Sequence, residues 1–248
     1  MKHNTDGRFI MANGYVIYDG PSQLNGERIL YIVLVSKSHN SKIGEMGFQT
    51  VIITPHHPLE ASKHGWDSAN CGDCIHRGTP TDDPNRKQAE DRTCYVKLFH
   101  MPLVVWKQWD KGAYPYVYGH KNIAKIGRNK KGRDGGYGDG GAVPSYIRES
   151  LFSESIGHAS YCHQYNNPNS SFNPKHDMVS ADNLSTAKTH WELGHRTFRV
   201  IQDVKEVVLD KEILCPASKE MGRRTTCASC MLCGGSEVKA KSIAIVQH

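Results

Sequence analysis

Short-period alternation of apolar and polar positions marks the first fifty residues, and a mixture of strand-like and helix-like periods marks the second half. Between Gly14 and Thr54 three segments are rich in β-branched and aromatic residues: Tyr15-Val-Ile-Tyr, Arg28 to Ser36, and Gln49-Thr-Val-Ile-Ile-Thr. Turn clusters containing Asp19-Gly-Pro and Asn25-Gly separate them, which predicts a small antiparallel sheet. The polar stretch from Pro55 to Arg92 has too few apolar residues for a core of its own and needs a metal to organise it. Cys94-Tyr-Val-Lys-Leu reads as a short strand. Leu103 to Lys111 reads as a short helix with Val104, Val105, Trp106 and Trp109 on or near one face, the tryptophans as core residues. The basic, glycine-rich run from Gly127 to Gly141 predicts a mobile loop.

The second half alternates strands and helices. Pro144 introduces a helix over Ser145 to Glu154, His158-Ala-Ser-Tyr-Cys is a strand, and Met178-Val-Ser-Ala is another. Asp182 is expected to cap a helix running to about Leu193, with Gly194 as its stop. Arg196-Thr-Phe-Arg-Val-Ile and Glu212-Ile-Leu are further strands. This order predicts an α/β protein: a partial (β/α) barrel or an open, mostly parallel sheet, with an N-terminal antiparallel sheet and cysteine-rich metal-binding loops. Residues 1–120 carry the N-terminal sheet and residues 121–248 the β/α region, together in one compact unit.

Composition narrows the setting. With 248 residues the chain can bury a substantial core, although only 38% of its residues are hydrophobic and its mean hydropathy is −0.56. No apolar run approaches the roughly 20 residues that span a bilayer. The N-terminus, Met1-Lys-His-Asn-Thr-Asp-Gly, lacks the apolar stretch of a secretory leader, so a reducing cytoplasm is expected. In that compartment eight cysteines point to metal rather than disulfides. The net charge of +6 is compatible with a nucleic-acid partner. Lys121, Lys125, Arg128, Lys130, Lys131 and Arg133 are the candidate phosphate contacts, and a solvated surface loop accounts for the same residues. No Gly-x-x-x-x-Gly-Lys-Ser/Thr, Gly-x-Ser-x-Gly or His-Glu-x-x-His sequence is present, which argues against P-loop nucleotide hydrolysis and the common hydrolytic nucleophiles.

The cysteines fall into two groups. Cys227, Cys230 and Cys233 are spaced by two residues and can turn their sulfurs into one pocket, while Cys215, followed by Pro216, closes it from another element. That is the ligand pattern of a [4Fe-4S] cluster, with zinc as the competing occupant. Because Cys215 follows a strand-like segment, the site is expected to cap the rim formed by the strands' C-terminal ends. Cys71 and Cys74 form a two-residue knuckle that Cys94 joins after a long loop. Candidates for its fourth ligand are His76, Cys162, His57 and His64. A Cys3His zinc site, an all-cysteine site and a second [4Fe-4S] cluster with one open iron position all remain open. Neither group has the Cys-x-x-x-Cys-x-x-Cys spacing of the radical S-adenosylmethionine enzymes. Asp139, His158, His163, Asp177 and Asp182 could converge at strand ends as a divalent-metal or catalytic site, against which stand ordinary hydrogen-bonding and capping roles.

Taken together, Val16-Ile-Tyr-Asp-Gly-Pro-Ser, Asn70-Cys-Gly-Asp-Cys-Ile-His-Arg, Arg92-Thr-Cys-Tyr-Val, Tyr137-Gly-Asp with Ala142-Val-Pro, and Cys215-Pro-Ala-Ser-Lys-Glu through Cys233 resemble a bacteriophage cysteine-rich family distantly similar to the phage gene-product-88 group. The resemblance implies a viral iron-sulfur protein of the bacterial cytoplasm, on a fold related to the radical enzyme barrel, with a host or phage protein as partner. The chain departs from the family pattern at Cys162, where threonine is expected, and at Asn129 to Gly136, which reads as an insertion.

Overall fold

The computed structural model describes residues 12–35, 42–222 and 224–247. The N-terminal segment Met1 to Gly7 and Ser36 lie outside the described residues. In chain order the elements are β1 (Gly14–Pro21), β2 (Arg28–Leu34), β3 (Phe48–Ile53), α1 (Pro58–Lys63), α2 (Ser68–Cys71), α3 (Met101–Asp110), α4 (His120–Gly127), β4 (Lys131–Tyr137), α5 (Ser145–Phe152), β5 (Gly157–Ala159), β6 (Tyr161–Cys162), β7 (Met178–Ala181), α6 (Leu184–Glu192), β8 (Thr197–Ile201), β9 (Glu212–Leu214), α7 (Cys227–Cys230) and β10 (Ser242–Val246). They build two five-stranded sheets, ordered β1-β2-β3-β4-β5 and β6-β7-β8-β10-β9. The fold is α/β, as the alternation of elements predicts. β1, β2 and β3 pair antiparallel, β4 and β5 continue that sheet in parallel, and the second sheet is parallel throughout.

One stretch of chain joins the two sheets. β5 pairs with β4 and β6 pairs with β7, and only Ser160 lies between them. β4, from the second half of the chain, adds directly to β3 of the N-terminal sheet. The strand predicted at Cys94 is irregular backbone, and the chain near it is held instead by the Cys94 N–H donating to the His76 carbonyl. No helix of the described residues is long and apolar enough to cross a membrane.

The predicted glycine-rich loop is a central strand. A side chain at position 132 would fall 2.1 Å from the Phe48 ring, so glycine lets β4 lie against β3 while Phe48 stays buried. This also disperses the predicted basic patch. Lys121 and Lys125 are exposed on α4, Arg128 pairs with Glu154, Lys131 donates to the Ala228 carbonyl, and Arg133 projects from β4 with a buried Nε. β10, unrecognised in the sequence, inserts between β8 and β9, where the buried Arg199–Glu212 pair bridges its two neighbours. Trp106 and Trp109 pack against the core cluster of Val16, Leu30, Ile32 and Val105, the core role expected of them.

At the junction of the sheets lies a buried charge network. Arg148 of α5 donates from Nε to Asp134 Oδ2 of β4 at 2.9 Å, and from Nη1 and Nη2 to the Asp177 carboxylate that precedes β7. Ser160 donates to the same Asp177 at 2.6 Å, while Tyr31 and Thr50 hydroxyls donate to Asp134 at 2.8 and 2.6 Å. The Arg148 side chain is 8% exposed and both carboxylates 0%. Burial alone would raise the Asp177 pKa. The Arg148 charge and the hydrogen bonds from Arg148, Ser160 and the Asn173 N–H outweigh it and hold the carboxyl below its ordinary value.

Arg148→Met removes the cation and leaves two buried carboxylates, so we expect a loss of about 3–5 kcal/mol in chemical denaturation. A group with a lowered folded pKa stabilises fully above its unfolded pKa, about 3.9 for Asp, and loses that contribution as pH falls through the folded value. Wild-type stability should therefore fall more steeply below about pH 4 than that of an Asp177→Asn variant.

Candidate metal centres

The Cys227 to Cys233 segment is shaped by its own backbone. Thr226 caps α7 by accepting the Ser229 N–H, and Met231 takes a left-handed conformation (φ 50°) that ends the helix after one turn. The chain then doubles back, so that Cys233 returns toward Cys227 and Cys230. Its position is fixed by the Ser160 N–H donating to the Cys233 carbonyl and by Arg196, which donates to the Gly234 and Lys241 carbonyls. The other end of the turn is fixed by the Cys227 and Ala228 N–H groups on the Lys42 and Ile43 carbonyls. Cys215 comes from the end of β9, where its N–H bonds Ala244 of β10.

These elements bring all four cysteines to the wall of one pocket, whose remaining lining is Ala159, Pro216, Ala217, Met231, Leu232 and Ile243. The rim expectation needs correcting. Only Cys215 follows the C-terminal end of a strand. The α7 turn docks on Lys42 and Ile43 ahead of β3, on Lys131 at the start of β4, and beside Gly157 at the start of β5. Those are N-terminal ends, and the turn is held there by hydrogen bonds to a segment far away in sequence.

Two arginines flank the pocket. Arg133 lies near enough to Cys227, and Arg196 to Cys233, for their charges to act on those sulfurs. The Nε atoms of both, and the Oγ of Ser218 three residues beyond Cys215, are buried and have no hydrogen-bond partner within the protein. Tyr161 hydrogen-bonds the Cys233 sulfur. Two cations whose charges reach Cys227 and Cys233, each with a buried unpaired Nε, favour a negatively charged group at these sulfurs.

The second group does gather at the C-terminal rim. Cys71 ends α2, whose Asn70 carbonyl accepts the Asp139 N–H just beyond β4. Arg77 knits the knuckle by donating to the Asp67 carboxylate and to the Gly72 and Gly65 carbonyls. Gly72 has φ 60°, and a side chain there would strike the Gln164 amide at 2.1 Å. The Cys74 sulfur accepts the His76 N–H, and Cys71, Cys74 and Cys94 are close enough for their charges to interact. The candidate fourth ligands separate. His57 packs edge-on against Trp106, and His64 faces Glu60 and Trp66. Cys162 is buried beside Asp139. His76 turns Nδ1 to the Thr93 hydroxyl at 2.8 Å and Nε2 toward Asp182 at 3.5 Å.

Asp182 is not the helix cap that was expected. Asn183 caps α6 by accepting the Thr186 N–H at 2.9 Å, leaving Asp182 at the rim with His163 Nε2 at 3.6 Å. Asp139 and Asp177 do have the expected ordinary roles: Asp139 accepts the Gly141 and His163 N–H groups, and Asp177 holds Arg148. Among the described residues, His76, His163 and Asp182 are a set whose ligand atoms lie within 4.8 Å of one another, and neither cysteine group is that tight. Four thiolates on one zinc ion at 2.3 Å would sit about 3.8 Å apart.

Burial pushes the Cys233 thiol up to about 12 against the Tyr161 hydrogen bond, and raises Cys227 against the charges of Arg133 and Lys42. Burial likewise pushes Cys74 up to about 12 and Cys71 well above the thiol range. Comparisons with family models, with curated proteins and with solved structures find no match to this chain.

A thiol with a raised folded pKa stabilises fully below its unfolded pKa, about 8.5, and loses that contribution as pH rises through the folded value. The metal-free chain should therefore lose melting temperature between about pH 8 and about pH 10, and a metal-loaded chain should not. Metal uptake should release protons and tighten as pH rises, which calorimetric titration in buffers of different ionisation enthalpy measures directly.

Proposed function

We propose that the chain is an iron-sulfur protein. Cys215, Cys227, Cys230 and Cys233 would hold a [4Fe-4S] cluster, and Cys71, Cys74 and Cys94 a second metal centre. The reading extends to a phage-encoded protein working in the bacterial host cytoplasm, on the residues that carry the family resemblance. The observation that carries it is the four-cysteine pocket, lined by Cys215 and by the Cys227 to Cys233 turn, with the charges of Arg133 and Arg196 acting on Cys227 and Cys233. The Cys-x-x-Cys-x-x-Cys run with a remote Cys-Pro supports a cluster over a single zinc ion, which more often takes two separate Cys-x-x-Cys knuckles.

When bound, such a cluster supplies one-electron transfer. The chain's own residues then act on charge. Arg133 and Arg196 place positive charge beside Cys227 and Cys233, and Tyr161 donates to the Cys233 sulfur, so each favours the more negative state of whatever the thiolates hold. The apolar wall of Ala159, Ala217, Leu232 and Ile243 limits water. Three cysteines at the other end of β4 leave room for a ligand not supplied by cysteine, so any substrate chemistry belongs there.

Protein purified anaerobically should be brown and carry roughly four iron and four sulfide per chain for the C-terminal site, or about twice that if the second group also holds a cubane. Cys227→Ala should abolish the C-terminal share. Arg133→Met should retain the cluster and make its reduction potential more negative in a spectroelectrochemical titration. Zinc alone in both groups would overturn the reading.

A further inference from the structure

We propose that His76, His163 and Asp182 form a separate site for one divalent transition-metal ion of the zinc or iron(II) class, at the C-terminal ends of β6 and β7. His163 follows β6 and Asp182 follows β7, and the two strands pair in parallel, so both side chains emerge from neighbouring strand ends at one rim. His76 reaches the same point from the turn after Cys74. Both imidazole Nε2 atoms face one oxygen, Asp182 Oδ1, at 3.5 and 3.6 Å.

Those separations are longer than an N–H···O hydrogen bond, which lies at about 2.7–3.2 Å. They match instead the edge of a tetrahedron, about 3.4 Å for nitrogen and oxygen ligands near 2.1 Å from an ion. The rings stand at 77° with centroids 5.7 Å apart, so their lone pairs can converge without stacking. The support around them is of the kind metal ligands use. Thr93 Oγ1 lies 2.8 Å from His76 Nδ1, so that with Nδ1 protonated the lone pair is on Nε2. Asp139 accepts the His163 backbone N–H at 2.6 Å, and Asn183 takes over the capping of α6 that would otherwise occupy Asp182.

Two histidines and one carboxylate suit zinc, iron(II) and cobalt(II), and three protein ligands leave a coordination position open. The three side chains are 34%, 28% and 26% exposed, which gives an ion and a small oxygen ligand a path from solvent. The site thus binds water or an anionic oxygen donor at its free position.

The test is cobalt(II) titration of the whole chain with its cysteine groups filled as purified, comparing wild type with His163→Gln and Asp182→Asn. We expect wild type to take up one further cobalt per chain, with visible ligand-field absorption but no sulfur-to-cobalt charge-transfer band. Each substitution should weaken this uptake by more than the about 10- to 100-fold that outer-shell changes cost, with iron, sulfide and zinc contents unchanged. No further equivalent in wild type, uptake carrying the thiolate band, or uptake unaltered by both substitutions would overturn the proposal. Circular dichroism identifies a variant that has lost its fold, in which case the other substitution and the wild-type stoichiometry decide.

Discussion

Arg148 holds the two halves of this protein together. Its guanidinium spans Asp134, in the middle of β4, and Asp177, at the entrance to β7, directly beside the single residue that separates β5 from β6. A planar cation with donors on several edges can satisfy two carboxylates at once, and the hydroxyls of Tyr31, Thr50 and Ser160 take up remaining lone pairs. The desolvation of three charges is a large cost, met only by this mutual pairing. It ties the middle of β4, in the first sheet, to the entrance of β7, in the second. The four-cysteine group spans this junction, because Cys227 and Ala228 bond the Lys42 and Ile43 carbonyls of the first half while Ser160 itself bonds the Cys233 carbonyl.

The consequence is a division along β4. At its N-terminal end the α7 turn and Cys215 enclose an apolar pocket with two flanking arginines, a setting suited to holding a buried anionic group away from water. At its C-terminal end Cys71, Cys74 and Cys94 sit among His76, His163, Asp139 and Asp182, a more polar and more accessible rim. Ligands of parallel sheets gather at that end, where strand termini expose backbone and loops converge. The closed site and the open site therefore belong to different ends of the same strands.

Much of this was legible in the sequence where chemistry is local. The Cys-x-x-Cys-x-x-Cys run, the remote Cys-Pro, the Cys71–Cys74 knuckle, the three antiparallel strands and the α5 and α6 helices all follow from spacing and turn residues. What failed depended on distant partners. The glycines of β4 signalled flexibility, yet Gly132 is needed for the approach of Phe48, a residue more than eighty positions away. Asp182 stands at a helix entrance like a cap, but the neighbouring Asn183 performs that role and frees the carboxylate for two histidines. Arg133 and Arg196 look like surface cations until strand pairing places them beside sulfurs, and no local pattern could have revealed that.

The central claim is that the four-cysteine pocket holds a cubane. Mössbauer spectroscopy on protein purified anaerobically, from cells supplied with the Mössbauer-active iron isotope, tests it most directly. The account predicts the signature of a four-iron cluster with delocalised valence, lost in a Cys215→Ala chain that keeps its fold. A spectrum of mononuclear iron only, unchanged by that substitution, would contradict it.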